Sequence, residues 1–142
     1  MGDSMRYLVP LWGLFFSFSL WGLGPQSIGE QRSLTNELSY SVSHYSSGWV
    51  TADRNNDGYP DYALLLDERN QKRFEAIDFN YDLSMDDFYI YQSDVLIRRE
   101  IDQDYNQQVD LWVYLREGVY VEGYERDTSG NVIIDSFKLY GE

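Results

Sequence analysis

Four stretches of this chain place short oxygen-bearing side chains at the same offsets, and that recurrence restricts the possible folds more than any other feature. The clearest copy has Asp53, Asn55, Asp57 and Asp61 at positions one, three, five and nine, with Gly58 at six. Asp78, Asn80, Asp82 and Asp86 repeat the offsets, as do Asp102, Asp104, Asn106 and Asp110. A fourth copy has Asp127, Ser129, Asn131 and Asp135. The first residues of these loops lie 25, 24 and 25 residues apart. A fixed period of this length marks a tandem array in which each repeat is one supersecondary unit.

Oxygens on alternate residues of a tight bend are the arrangement that wraps a hard cation. Ca²⁺ takes six to eight oxygen ligands at about 2.3 to 2.6 Å, and a glycine at the sixth position permits the sharp turn. The sixteen residues named above are therefore the candidate metal ligands, with Ca²⁺ as the expected ion. An EF-hand loop would add a glutamate at position twelve, where this chain has Leu64. The three later loops carry Leu83, Gln107 and Val132 where the first has Gly58. The competing explanation needs no metal: Asp and Asn are good turn formers in their own right.

The residues between loops decide what each repeat is. The run Leu111, Trp112, Val113, Tyr114, Leu115 is followed by Arg116, Glu117, Gly118 and then by Val119, Tyr120, Val121. β-branched and aromatic residues on both sides of a glycine-ended turn predict a hairpin whose turn closes at positive φ. Phe88 to Tyr91 and Val95 to Ile97 flank Gln92, Ser93, Asp94 in the same way, and Asp tolerates the left-handed conformation. Residues 62–66 and 73–77, joined by a polar turn over 67–71, make the first full repeat. At the start, residues 34–45 are expected to pair as a strand with 49–52 through Ser46, Ser47 and Gly48. At the end, residues 132–140 supply the closing strand. The expected fold is thus all-β, an antiparallel meander with hairpin turns on one edge and acidic loops on the other.

Strand alternation predicts the buried face. The second and fourth residues beyond each loop are Ala63 and Leu65, Phe88 and Ile90, Trp112 and Tyr114, Phe137 and Leu139, which should form the core side. The intervening set, Leu64, Leu66, Tyr89, Tyr91, Val113, Leu115, Lys138 and Tyr140, is also largely apolar. This second face calls for a cover: a sheet that curls on itself, another protein, or the start of the mature chain.

Composition narrows the partners. The chain has no cysteine, which excludes disulfides and zinc-thiolate sites, and a formal net charge of -13. Nucleic acid is not an expected partner, because phosphate binding needs clustered Lys and Arg. Eleven of the 24 acidic residues sit at the loop ligand positions, where like charges repel across distances that salt screens only in part. A divalent cation is the simplest relief.

Residues 1–29 read as an export signal: Arg6, then an apolar uncharged run from Tyr7 to Leu23, then small residues ahead of a cut before Glu30. The alternative is a retained membrane anchor. With cleavage, residues 30–142 form the hairpin repeat domain, secreted, periplasmic or at the cell surface, with no membrane span. Trp49 to Ala52, the first loop and Tyr62 to Leu65 resemble the calcium loop and flanking strands of FG-GAP and VCBS-type repeats. The loop spacing is also similar to thrombospondin type 3 repeats and dockerins. The overall pattern resembles exported bacterial proteins with tandem Asp-rich hairpin repeats, and that resemblance implies a calcium-stabilised surface or adhesion module without chemistry of its own.

No catalytic constellation stands out. His44 is the one histidine, in a polar setting, and there is no glycine-rich phosphate loop. Carboxylate pairs suit a glycosidase, but periodic placement in loops makes these structural. A protein or glycan partner at the cell surface remains the alternative to metal, with Tyr89, Tyr91, Tyr120 and Tyr124 as the candidate stacking rings.

Overall fold

The apolar runs between the acidic loops form strands as their periodicity predicts. In the computed structural model, which describes residues 35–141, these are β1 (Val50–Ala52), β2 (Tyr62–Leu66), β3 (Lys72–Ile77), β4 (Asp87–Gln92), β5 (Val95–Ile101), β6 (Leu111–Arg116), β7 (Tyr120–Arg126) and β8 (Ser136–Leu139). They pair antiparallel in sequence order as one eight-stranded meander. Loops 1 to 4 (residues 53–61, 78–86, 102–110 and 127–135) join hairpin to hairpin along one edge. The export segment over residues 1–29 lies outside the described residues.

The hairpin turns have the geometry that their residues require. Ser93 and Asp94 both take positive φ, as do Glu117 and Gly118, so each is a pair of left-handed residues whose twist matches that of the flanking strands. The first hairpin is closed instead by Asp67, whose Oδ1 accepts the N–H groups of Arg69 (2.8 Å) and Gln71 (2.9 Å). Each hairpin then slips register at one equivalent place, between Leu65 and Leu66, Ile90 and Tyr91, and Tyr114 and Leu115. A bulge recurring at a fixed distance from the acidic loop adds twist at the same level of every repeat.

The core lies on one face of the first half of the sheet. Ala63, Phe74, Ala76, Phe88 and Ile90 are buried there together with Met85 and with Leu38, Val42 and Tyr45 from the segment that precedes β1. That segment is not the strand predicted over residues 34–45. Leu34 lies outside the described residues, and the rest turns through a single 3₁₀ turn, Val42–His44, bonding to loop 2 by a lone bridge of Ser41 with Ser84 and by Met85 N–H to the Tyr40 carbonyl at 2.7 Å. It crosses the sheet because its apolar residues cap the aromatic row. Tyr40 meets Phe88 edge-on at 5.3 Å, and Tyr45 meets Trp49 at 4.8 Å. The turn expected at Ser46 to Gly48 is present, with Gly48 at positive φ. The start of the described chain therefore covers the first face, and not the second as the apolar pattern allowed.

The expected core side is buried in part. Ala63, Phe88, Ile90 and Trp112 are buried, whereas Phe137 and Leu139 are 60% and 53% exposed because nothing in the described chain reaches over β8. β8 is also shorter than expected, since loop 4 extends to Asp135. The second face is half-buried and holds itself together by lateral contacts. Glu75 accepts hydrogen bonds from Tyr62 (2.8 Å), Tyr91 (2.5 Å) and Lys72 (2.8 Å), and Arg99 pairs with Asp87 while lying over the Tyr89 ring. Burial works to raise the Glu75 pKa, but those three donors outweigh it and hold the carboxylate below its usual range.

Gly123 in β7 faces Leu139 and Lys138 of β8 with no room for a side chain. A Cβ there would stand 2.7 Å from both the Lys138 carbonyl oxygen and Leu139 Cδ2. Gly123→Ala is expected to cost about 1 to 3 kcal/mol, the range for overpacking a close contact. Urea denaturation of the variant, with the midpoint falling and the slope unchanged, checks this.

Candidate metal centre

The four acidic loops share one backbone conformation. Positions four and six take positive φ in each: Asn56 and Gly58, Tyr81 and Leu83, Tyr105 and Gln107, Gly130 and Val132. The loss of glycine in the later copies has not changed the bend. Leu83, Gln107 and Val132 occupy the left-handed region at φ 72°, 64° and 66°, which is unfavourable for residues with a Cβ, most of all for β-branched Val132, and must be held by surrounding bonds.

Those bonds come from the first and ninth positions. Asp53 accepts the N–H groups of Asn56 (2.7 Å) and Gly58 (2.9 Å), and Asp78 those of Tyr81 (2.7 Å) and Leu83 (3.0 Å). Asp102 accepts from Asn106 (3.2 Å) and Gln107 (2.7 Å), and Asp127 from Gly130 (2.8 Å) and Val132 (2.5 Å). The ninth-position carboxylate reaches back to the second residue: Asp61 to Arg54, Asp86 to Phe79, Asp110 to Gln103, Asp135 to Thr128. Positions three and five pair with each other. The Asn55, Asn80 and Asn106 amides donate to Asp57, Asp82 and Asp104 at 2.8, 2.9 and 3.0 Å. In loop 4 these positions are Ser129, which donates to Asp127, and Asn131, which accepts from Ile133.

Successive loops are joined to one another. The N–H of each first-position Asp donates to the carbonyl of the preceding ninth-position Asp: Asp78 to Asp61 at 2.9 Å, Asp102 to Asp86 at 2.8 Å, and Asp127 to Asp110 at 2.9 Å. A loop with neighbours on both sides is therefore more enclosed than a terminal one. Loops 2 and 3 have both their first- and ninth-position carboxylates buried, whereas loop 1 buries Asp61 but exposes Asp53, and loop 4 buries Asp127 but exposes Asp135.

This enclosure separates the loops chemically. In loop 2, Asp78, Asp82 and Asp86 bring carboxylate oxygens within 4.8 Å of one another, and in loop 3 Asp102, Asp104 and Asp110 do the same. Among the described residues these are the two acidic groups so gathered, and either could hold a metal ion. Loop 1, whose sequence has the glycine, does not gather Asp53, Asp57 and Asp61 in this way, and loop 4 has only Asp127 and Asp135 as carboxylates among its ligand positions. The carboxylate pairing with the Asn amide stands at position five in loop 2 and at position three in loop 3, so the two clusters differ in the position of the third carboxylate but not in charge.

A second observation falls on the same two loops. Asp86 Oδ1 and Asp110 Oδ1 are buried oxygens without a hydrogen-bond donor. An unpaired buried carboxylate oxygen is costly, and a cation held among the three carboxylates would offset that cost. The donor set, carboxylates with an adjacent Asn carbonyl, is all oxygen and fits a hard divalent ion.

Electrostatics follow the geometry. Burial, and then the charges of Asp78 and Asp82, push Asp86 up to about 6. Burial also raises Asp78 and Asp110, in each case reinforced by neighbouring carboxylates, and Asp102 is raised for the same first reason. Glu100, fully buried on the core face beside Arg98 (2.7 Å), is held up to about 7 by burial that the guanidinium offsets only in part. This buried pair was not anticipated. Its signal was the run Arg98, Arg99, Glu100 inside an otherwise apolar strand, which places opposite charges two residues apart on one face. His44 is exposed, with Nε2 3.0 Å from the Glu37 carbonyl.

Neither family models, curated proteins nor solved structures yield a match to this chain. No helix among the described residues is long and apolar enough to cross a membrane.

The raised pKa of Asp86 fixes a sign for the metal-free protein. Folded chains bind more protons than unfolded ones between the ordinary carboxylate range and about 6, so stability falls as pH rises through that window. The thermal midpoint of metal-free protein is expected to be higher near about pH 5 than near about pH 7. Asp86→Asn, which keeps an acceptor for Phe79 N–H and removes the charge, should reduce the difference to the part that the raised Glu100 contributes and raise the midpoint at neutral pH. Calorimetry of both proteins at the two pH values measures it.

Proposed function

We propose that this chain is an exported β-repeat module that binds Ca²⁺ in loops 2 and 3, and in which the bound ions hold the meander rigid for a structural or adhesive role. The observation that carries the reading is the coincidence, in the same two loops, of three gathered carboxylates and a buried carboxylate oxygen without a donor. Asp78, Asp82 and Asp86 would hold one ion and Asp102, Asp104 and Asp110 another, with the Asn80 and Asn106 side-chain carbonyls within the same bends. Export is supported by the residue order over 1–29, and the likeness of the first loop to FG-GAP and VCBS-type calcium loops supports the choice of ion. Affinities of about 10⁻⁴ to 10⁻³ M suffice outside the cell.

A metal-free surface for a protein or glycan is the second reading, and Tyr120 favours it: with Val119 it is strongly exposed at the far end of the third hairpin. Tyr89 and Tyr91, by contrast, are engaged with Arg99 and Glu75.

Calorimetry with EDTA, then with about 10 mM Ca²⁺ or Mg²⁺, separates the readings. Saturation to ten or more times Kd adds about 1.4 kcal/mol or more, a rise in midpoint of about 5 °C or more for Ca²⁺. Asp78→Asn combined with Asp102→Asn should remove the rise. A folded protein whose midpoint ignores Ca²⁺ leaves the metal-free surface as the function.

A further inference from the structure

The third repeat departs from the first two on the second face of the sheet, and the departure leaves a cleft. In the earlier repeats long polar side chains cross this face and bond to one another: Tyr62 and Tyr91 to Glu75, and Arg99 to Asp87. In the third repeat Leu111 stands where Tyr62 and Asp87 do, Val113 where Tyr89 does and Tyr124 where Glu75 and Arg99 do, and Ser136 follows on β8. A space of about 400 Å³ opens over these residues. It adjoins a second space of about 280 Å³ between loops 3 and 4, lined by Asp104, Asp110 and Asp127. Gln103, Arg126 and Thr128 border both, so the two are compartments of one cleft. We propose that this cleft binds an acidic saccharide, with a uronate carboxylate on Arg126 and the sugar ring over Tyr124 and Val113.

The groups that converge on the cleft support that ligand. Among the described residues, the Arg126 guanidinium, the Gln103 side-chain amide and the Ser136 hydroxyl take part in no side-chain hydrogen bond or ion pair. The Thr128 and Ser129 hydroxyls, by contrast, already donate to Asp135 and Asp127. A guanidinium binds a carboxylate through two parallel N–H groups. An amide and a hydroxyl each donate and accept, which suits the hydroxyls of a sugar. The half-buried Tyr124 ring beside Leu111 and Val113 gives the C–H face of a pyranose an apolar bed. The larger compartment has the volume of an ordinary small-ligand site.

The inference rests on the reading of loop 3 as an ion site. Without an ion, the acidic compartment sets three carboxylates against one guanidinium and repels an anion. Burial raises the Asp110 pKa and Arg126 opposes that rise, so the two side chains already act on one another. A divalent ion held by Asp102, Asp104 and Asp110 offsets the excess of negative charge. Ca²⁺ takes six to eight oxygens, and three carboxylates binding through one oxygen each leave positions for saccharide oxygens. The exposed Tyr120 lies at the opposite, hairpin-turn edge, so the surface it marks is a separate one.

Isothermal titration calorimetry of the full chain tests the proposal. Trigalacturonate is the probe, galactotriose its neutral counterpart, and a tripeptide of aspartate an acidic control without sugar. In about 10 mM Ca²⁺ trigalacturonate should bind with a Kd of about 10⁻⁴ to 10⁻³ M. The two controls should bind at least about tenfold more weakly, and EDTA should abolish binding. Arg126→Gln, at an exposed position, should weaken trigalacturonate about tenfold or more and keep the rise in thermal midpoint with Ca²⁺. Arg126→Lys, which keeps the charge and loses the fork, should fall between. A midpoint that rises with Ca²⁺ in a protein that ignores trigalacturonate overturns the saccharide site and leaves the ion reading standing. A midpoint that ignores Ca²⁺ overturns both. Equal binding of either control, binding that survives EDTA, or unchanged binding by Arg126→Gln overturns the proposal as well.

Discussion

A carboxylate accepting backbone N–H groups from its own bend is the interaction on which the rest of this sheet depends. Each acidic loop is closed from its first position, which binds the amides of the fourth or fifth residue and the sixth, and from its ninth position, which binds the amide of the second. Because the ninth-position carbonyl then receives the next loop's first N–H, the closures are linked into one row. The row sets the spacing and direction of the strands that leave it, and the constant register of the hairpins follows. It also explains how Leu83 and Val132 sit at positive φ. The local cost of the left-handed backbone, of order 1 to 3 kcal/mol, is met by an amide that points at a buried or half-buried carboxylate.

The same arrangement creates the electrostatic strain that a cation would relieve. Carboxylates used as caps must be ionised to accept strongly, yet in loops 2 and 3 they lie close together and away from water. Burial and mutual repulsion raise Asp78, Asp86 and Asp110. Capping and charge repulsion therefore oppose one another most strongly in the middle of the row, where each loop has neighbours on both sides. Each terminal loop is spared at one end only: Asp53 and Asp135 reach solvent, while Asp61 and Asp127 are buried.

Much of the fold was legible because the period is local. The alternation of apolar residues and the positions of Gly118 and Asp94 mark the strands and turns, and the spacing of Asp and Asn marks the loops, all within windows of a few residues. What escaped depends on distant parts of the chain. Leu38, Val42 and Tyr45 have the composition of a strand, but their apolar side chains gain more by capping Phe88 and Met85 than by lying at the edge beside β1. For the site, composition ranked loop 1 first because of Gly58. Enclosure, which depends on neighbouring loops and on the Ser41 bridge to Ser84, gathers the carboxylates of loops 2 and 3 instead.

Among the described residues, the segment before β1 lies over the first half of the sheet, and this gives the array a gradient of stability. Repeat proteins unfold through nearest-neighbour contacts, so a one-sided cap makes β2 to β5 the last region to open and β7 and β8 the first. Amide exchange should then be slowest at Ala63, Ala76 and Phe88 and quicken strand by strand toward Leu139. A protease or a chaperone would meet the described sheet at β7 and β8 first.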